Sequence, residues 1–312
     1  MVEQRAPVRE APPPEPRRVP SRRRILVRRA VALVLVVGGL ALIGWLALAI
    51  AGSIRDGDET QAKPPPVVAA PTLRIIFPEG FTRAQMAQRI KAVNQIARKK
   101  RKINPKLSAK TYLRVTASSK VPGRFAGDGK RRQLEGFLFP STYEFEQRTT
   151  SRQLVKRQLA AFEENWGRVN LAYAKSKNLT AYDVLIIASL VEKEVIAPEE
   201  RPLVAAVIYN RLHAGMNLGI DATTRYGLNV PGTEPLRESQ LHSSNAYNTR
   251  NPSITGLPPT PIANPGLASM QAAAHPAKVD YLFFVRKPDH VHHFFTASER
   301  EFNEYANAHG FG

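Results

Sequence analysis

The sequence predicts a mixed α+β protein, mainly helical, behind a single N-terminal apolar segment. Three observations carry this. A run of 25 uncharged residues, 30–54, precedes every part of the chain that can build a core. The stretch LRIIFPEGFTRAQMAQRI then reads as a strand at 73–77, a turn at Pro78-Glu79-Gly80 and a helix from Thr82. Farther on, residues 180–227 carry long apolar runs at helical spacing, opened by Thr180 and Asp183 in a capping-box pattern.

Residues 1–29 hold nine arginines against three glutamates, with many prolines and few large apolar groups. They cannot build a core and are expected to be a disordered basic tail. The 30–54 run exceeds the roughly 20 residues that cross a bilayer as a helix. The preceding arginines place its N-terminal side in the cytoplasm and the rest of the chain outside it, in the inner (plasma) membrane. Small-residue sites such as Ala47-Leu48-Ala49 suggest a cleaved signal peptide instead, but such an apolar core spans only about 7–15 residues. An uncleaved anchor is the expectation.

Residues 55–71 form a polar linker ending near the stiff run Pro64-Pro65-Pro66. A small α+β module is expected over 72–133 and a larger domain over 134–312. The cluster Arg98, Lys99, Lys100, Arg101 and Lys102 reads as a solvated surface before a binding patch. Residues 134–145, LEGFLFPSTYEF, are dense in aromatics and argue for a buried strand or bend. An amphipathic helix is expected at 151–166, with Leu154, Gln158 or Leu159, and Phe162 on one face. The proline-rich run SNAYNTRNPSITGLPPTPIANPG reads as an ordered loop packed near a site. A short helix at 267–274, strands at 281–285 and 292–295, and a helix at 299–307 complete the chain.

Composition narrows the function classes. Across 312 residues there is no cysteine, which excludes disulfides and thiolate metal sites. The formal charge is +19, of which +6 sits in residues 1–29 and +13 in the rest. The body should therefore favour an anionic partner, and charge alone invites a nucleic-acid reading. An extracytoplasmic position undercuts that reading, so no nucleic acid is expected. No phosphate-binding glycine loop or serine-nucleophile elbow is present. His290, His292 and His293 superficially resemble a metal site. On a strand, however, His293 points away from the other two and no further ligands complete the set, so no metal and no cofactor are expected.

The chemistry concentrates on Glu192 and Glu194. Val184 to Val191 is apolar almost without a break, which suits an enclosed helix. A carboxylate on it is either paired, here with Arg201, Arg211 or a lysine, or kept for chemistry. Two residues apart, the two carboxylates lie about 200° apart around the helix and do not face one another. If Glu192 points into an apolar cleft, desolvation holds it as a general acid near neutral pH. Asp221, within the polar stretch Asp221-Ala222-Thr223-Thr224, reads as a loop residue that orients substrate or caps a turn. Tyr247 and Asn248 are candidates for binding sugar hydroxyls.

At these residues the chain resembles the MltG (YceG-like) family of membrane-anchored endolytic murein transglycosylases. The motifs run in order: IIFPEG, LEGFLFPSTYEF, ASLVEKE, ERPLVAAVIYNRL, GMNLGIDAT, YNT, GLPPTPIANPG and HHFFT. The resemblance covers residue 72 to the C-terminus. It implies a LysM-like module followed by a lytic-transglycosylase-like catalytic domain. It also implies cleavage of peptidoglycan strands between N-acetylmuramic acid and N-acetylglucosamine, on nascent strands beside the peptidoglycan synthases. The family's catalytic glutamate falls on Glu192. Substrate contacts are expected at Glu135, Tyr143, Glu194, Asn210, Arg211, Asp221, Thr223, Tyr226, Tyr247 and Asn248. Where the family reads LQTDPT, this chain has Leu218-Gly219-Ile220-Asp221-Ala222-Thr223, so no contact from that glutamine carries over. Two rivals remain: a hydrolytic muramidase with Asp221 as second carboxylate, and a non-catalytic wall-binding scaffold.

Overall fold

A computed structural model describes residues 34, 37–49, 72–125 and 131–310. The expected tail at 1–29, the linker at 55–71 and much of the 30–54 segment lie outside the described residues. Residues 37–49 are helical, with Val37, Leu40, Leu42, Ile43, Trp45, Leu46 and Leu48 exposed. Among the described residues no helix is long and apolar enough to cross a membrane. The chain divides into two compact units, Met1–Val68 and Ala69–Gly312. About half of the described residues are helical and few lie in strands.

In the second unit, β1 (Leu73–Ile76) pairs antiparallel with β2 (Thr142–Phe145), with Leu73 opposite Phe145 and Ile75 opposite Tyr143. Alternation decides the faces: Leu73, Ile75, Tyr143 and Phe145 go inward, while Arg74 and Glu144 meet on the outer face at 3.0 Å. One strand comes from the 72–133 segment and the other from 134–312, so this sheet ties the two together. Helix α1 (Arg83–Arg101) starts at a Thr82–Gln85 capping box, as Thr82 predicted. The basic cluster forms its last turn, where cations meet the negative end of the helix dipole. Helix α2 (Ala109–Ser118) was not predicted, because its buried stripe is only Tyr112, Val115 and Thr116. Helix α3 (Ser151–Trp166) matches its expected bounds and turns Leu154, Gln158, Phe162 and Trp166 inward. Phe125, Phe137, Phe162 and Trp166 stack edge-to-face and offset in one aromatic core.

After α4 (Ala172–Ser176), α5 (Ala181–Glu194) is the central helix. Its Thr180–Asp183 capping box forms as read, and all eight residues from Val184 to Val191 are buried. Helix α6 (Arg201–His213) and α9 (Leu267–Ala274) pack against it. The polar stretch at 221–224, read as a loop, is instead the first turn of α7 (Asp221–Leu228). Its hydroxyls explain the difference: Thr223 bonds Ile220 O at 2.7 Å and Thr249 at 2.9 Å, and Thr224 bonds Asn248 at 2.8 Å. Polar residues here satisfy one another inside the fold instead of facing water. A short α8 (Glu238–Leu241) leads into the proline-rich loop. The hairpin of β3 (Phe283–Arg286) and β4 (His293–Thr296) forms as expected, shifted by one or two residues, and α10 (Glu299–Ala308) closes the described chain.

Candidate active site

Glu192 sits on the last turn of α5 and is half-buried. Its surroundings are assembled by the proline-rich loop. Three residues back on the same face, buried Ser189 donates to Ile186 O at 2.7 Å and accepts the Ile262 N–H at 3.0 Å. The loop is thereby laid along the helix. Two residues later, Asn264 is fully buried and uses its whole amide. Its Oδ1 accepts the N–H groups of Gly136 (3.0 Å) and Leu138 (2.9 Å). Its Nδ2 donates to Phe81 O (2.8 Å) and Glu135 Oε1 (2.9 Å). The Asn264 backbone also pairs with Gly80 and Phe81, at 3.0 Å each way. The next two residues bring Gly266 to the start of α9, where its N–H donates to Glu192 Oε2 at 3.0 Å.

Burial raises the Glu192 pKa above the ordinary carboxylate value, and the Gly266 N–H and the Ser269 hydroxyl oppose the rise. Glu79 adds to it through its negative charge and Arg201 opposes it. Ser269 Oγ is buried with no partner in bonding geometry. Among the described residues, Glu192 forms no ion pair with Arg201, Arg211 or a lysine. The Gly266 N–H holds Oε2, and the Ser269 hydroxyl lies near enough to the carboxylate to favour its charged form.

Glu194 keeps different company, as helix geometry requires. Burial pushes it up to about 7, opposed by Arg286, with Asp221 raising it further. Arg286 also donates to the Glu194 carbonyl at 3.2 Å. Asp221 is ion-paired with Arg250, both half-exposed. Asp221 and Glu194 thus share a second cluster with two arginines, apart from the groups that act on Glu192.

The other expected contact residues divide by burial. Glu135 is buried and accepts from the Arg83 N–H (3.0 Å), Asn264 and the Tyr226 hydroxyl (3.1 Å). Burial pushes its carboxyl up to about 7. Thr223 and Asn248 are fully buried, and Asn248 Nδ2 donates to Leu241 O (2.8 Å) and Ser243 O (2.7 Å). Tyr143 donates to Phe139 O at 2.8 Å from within the β1–β2 core. Asn210 donates to Val279 O (3.0 Å) and Tyr281 O (2.9 Å). Arg211 donates to Leu282 O (2.6 Å), Asn217 O (3.0 Å) and Leu218 O (3.1 Å). These side chains, read from sequence as substrate contacts, also make hydrogen bonds within the fold. Tyr226 and Tyr247 pack ring to ring and stay partly exposed, with Tyr247 bonded to Thr260 at 2.8 Å.

The histidines do not form a strand face. His290 lies in the turn with φ of 59°. His292 binds Asp289 at 2.8 Å, and His293 is buried on Glu200 at 2.7 Å. One residue was missed altogether. Glu79 lies against Gly266, so closely that a Cβ at 266 would overlap its carboxylate. Its sequence signals were its place in the Pro78-Glu79-Gly80 turn, which periodicity reads as punctuation, and in the IIFPEG motif, neither of which gave it a role.

Residues 49–308 match the family model described as the YceG-like family. Two proteins named endolytic murein transglycosylase are similar. One, from Streptococcus pneumoniae R6, is 34% identical over 70% of this chain and 41% of its own length. Another, from Bacillus subtilis 168, is 31% identical over 69% of this chain and 59% of its own length. The chain therefore spans about half the length of these relatives. A 2.6 Å crystal structure of a YceG-like protein from Listeria monocytogenes superposes with a TM-score of 0.63 at 28% identity, covering 76% of each chain. Taken with the arrangement around Glu192, these matches establish that the chain belongs to the YceG-like family.

Proposed function

We propose that the protein is an endolytic lytic transglycosylase that cuts peptidoglycan glycan strands between N-acetylmuramic acid and N-acetylglucosamine, with Glu192 as its acid and base. One observation carries the reading: Glu192 is only half-buried, is held through Oε2 by the Gly266 N–H, and is kept towards its protonated form by burial. In the first half of the reaction Glu192 gives its proton to the glycosidic oxygen as the C1–O4 bond breaks. In the second, the C6 hydroxyl of the same muramic acid attacks C1, and its proton goes to the Glu192 carboxylate. The products are a 1,6-anhydro end and a free 4-hydroxyl, and the glutamic acid is restored. No second enzyme carboxylate is needed, because the nucleophile is part of the substrate and its effective molarity replaces an activated water. Asp221 is a poor second carboxylate for hydrolysis, since it is bound by Arg250 and groups with Glu194.

The finer expectations belong to the same proposal. The uncharged 30–54 run anchors the chain in the plasma membrane with the arginine-rich tail in the cytoplasm, so that 72–133 acts as a LysM-like module and 134–312 as the catalytic segment outside it. Tyr226 and Tyr247, partly exposed, are the sugar-facing contacts of choice. Action on nascent strands beside the synthases follows from such an anchor. Mass spectrometry of glycan digested by wild type and by Glu192→Gln tests the core of the proposal. Anhydro-ended fragments are expected from wild type, with a loss of at least about 100-fold in the variant. Reducing ends from wild type, or full activity in Glu192→Gln, would refute it.

A further inference from the structure

Glu192 is not the only carboxylate at Gly266. The turn Pro78-Glu79-Gly80 arrives from the N-terminal end of the second unit and is fastened beside the site. Gly80 donates its N–H to Asn264 O, and Asn264 returns its own N–H to Phe81 O, both at 3.0 Å. Gly80 has φ of +74°, a backbone conformation that glycine adopts freely. A side chain there would begin 3.6 Å from Glu192 Cγ, so the turn lies directly on the Glu192 side chain. The neighbouring Glu79 carboxylate rests against the Cα of Gly266, the residue whose N–H holds Glu192.

Glu79 is an exposed residue whose carboxylate nonetheless lies over Gly266. No hydrogen bond or ion pair from a described residue holds it, so it is not the anionic half of a structural salt bridge. Glycine at 266 lets the carboxylate take this place, and a Cβ there would push the flexible end of Glu79 aside. We propose that Glu79 is a positioning residue for Glu192: it sets a second negative charge across Gly266 from the proton donor, and the site is complete only with this turn docked.

The inference rests on the reading of Glu192 as the acid. Like charge next to a carboxylate favours its protonated form, which is the form that must meet the glycosidic oxygen. The groups that face Glu192 are few. Glu79 from the turn acts in this sense, Arg201 from the start of α6 acts against it, and the Ser269 hydroxyl comes from α9. Lys193, next on α5, points its chain towards Gly80. Glu79 is thus the anion among these groups, and it is supplied by the segment expected to bind the wall.

The test uses the full-length protein with purified glycan strands, reading both product ends and the pH dependence of kcat. For Glu79→Gln, which keeps shape and removes charge, the products stay anhydro-ended. The high-pH limb, where Glu192 loses its proton, moves about half to one unit lower. The rate above neutral pH falls about three- to tenfold while KM changes little, and Glu79→Asp restores most of it. Gly266→Ala, whose Cβ displaces the flexible Glu79 carboxylate while leaving the 266 N–H in place, shifts the limb in the same direction. An unmoved limb in both Glu79→Gln and Gly266→Ala would overturn the role of Glu79, whatever the rate does. Loss as deep as that of Glu192→Gln would overturn it too, by placing Glu79 on the reacting atoms. Reducing-end products from wild type would instead overturn the proposed reaction, a result independent of where the limb lies.

Discussion

Replacing Asn264 by alanine should cost the fold about 3–5 kcal/mol, and the figure follows from who loses a partner. Asn264 is fully buried, and its Oδ1 is the acceptor for the N–H groups of both Gly136 and Leu138. Alanine orphans both donors, each at about 1–3 kcal/mol for a buried amide left unsatisfied. Glu135 loses its Nδ2 donor but keeps the Arg83 N–H and the Tyr226 hydroxyl, so that term is smaller. Phe81 O keeps the Asn264 backbone N–H and adds little. The assay is urea unfolding followed by Trp166 fluorescence in a Trp45→Phe background, because Trp166 is buried among Phe125 and Phe162. An unchanged slope with a lowered midpoint is expected. A loss below about 1 kcal/mol would refute the accounting, since it would mean that the two amides find other acceptors once the side chain is gone.

Two further outcomes follow from the same frame. Glu135 has its folded pKa raised from 4.5 to about 7, so the folded state holds this proton more tightly than the unfolded chain does. Its contribution to stability is therefore greatest below about pH 4.5 and falls as pH rises towards 7, by about 3 kcal/mol in all; unfolding at pH 4.5 and pH 8 should show Glu135→Gln with a shallower decline than wild type. Gly136→Ala combines a φ of +89° with a Cβ only 2.6 Å from the Pro261 ring and 3.3 Å from Leu185. It should cost about 2–5 kcal/mol, read as a fall in Tm, because neither the ring nor the helix behind it can move aside cheaply.

Helices were legible where a local start signal coincided with a strong apolar stripe, and α2, capped by Ser108 but with a thin stripe, was not. Thr180 and Asp183 read as a capping box and form one, and the helices expected from Thr82 and from 151 prove to start at capping boxes as well. Helix α7 was misread for the opposite reason. Asp221, Thr223 and Thr224 look like solvated loop residues until Thr249 and Asn248, some 25 residues away in sequence, arrive to receive their hydroxyls. The site divides in the same way. Helical spacing alone separated Glu192 from Glu194. Which polar side chains face a substrate depends on tertiary partners, and Asn210, Arg211 and Asn248 each donate to backbone carbonyls that no local pattern announces. Glu79 lay in a recognised motif, but its relation to Gly266 could not be read, because it spans most of the unit and rests on the absence of a Cβ.

Desolvation by itself does not name the acid. Burial raises three carboxyls, Glu135, Glu192 and Glu194, and each shift is in the direction that favours a proton donor. Geometry separates them. Glu135 has both oxygens engaged and only 5% of its surface exposed, so it can titrate but cannot reach a glycosidic oxygen. Glu194 titrates within a cluster of Arg286, Arg250 and Asp221, where any proton movement is shared with neighbouring charges. Glu192 is half-buried, fixed at one oxygen by a backbone N–H, with the Ser269 hydroxyl beside it and no arginine paired to it among the described residues. Its place at the start of α9 should favour the anion, by up to about 2 kcal/mol for a helix N-terminus, yet its pKa is raised. Burial and the like charge of Glu79 outweigh the amide. The same amide then serves the second half of the reaction, stabilising the carboxylate that must take a proton back. A site that needs one group as acid and then as base is better served by this balance than by burial alone.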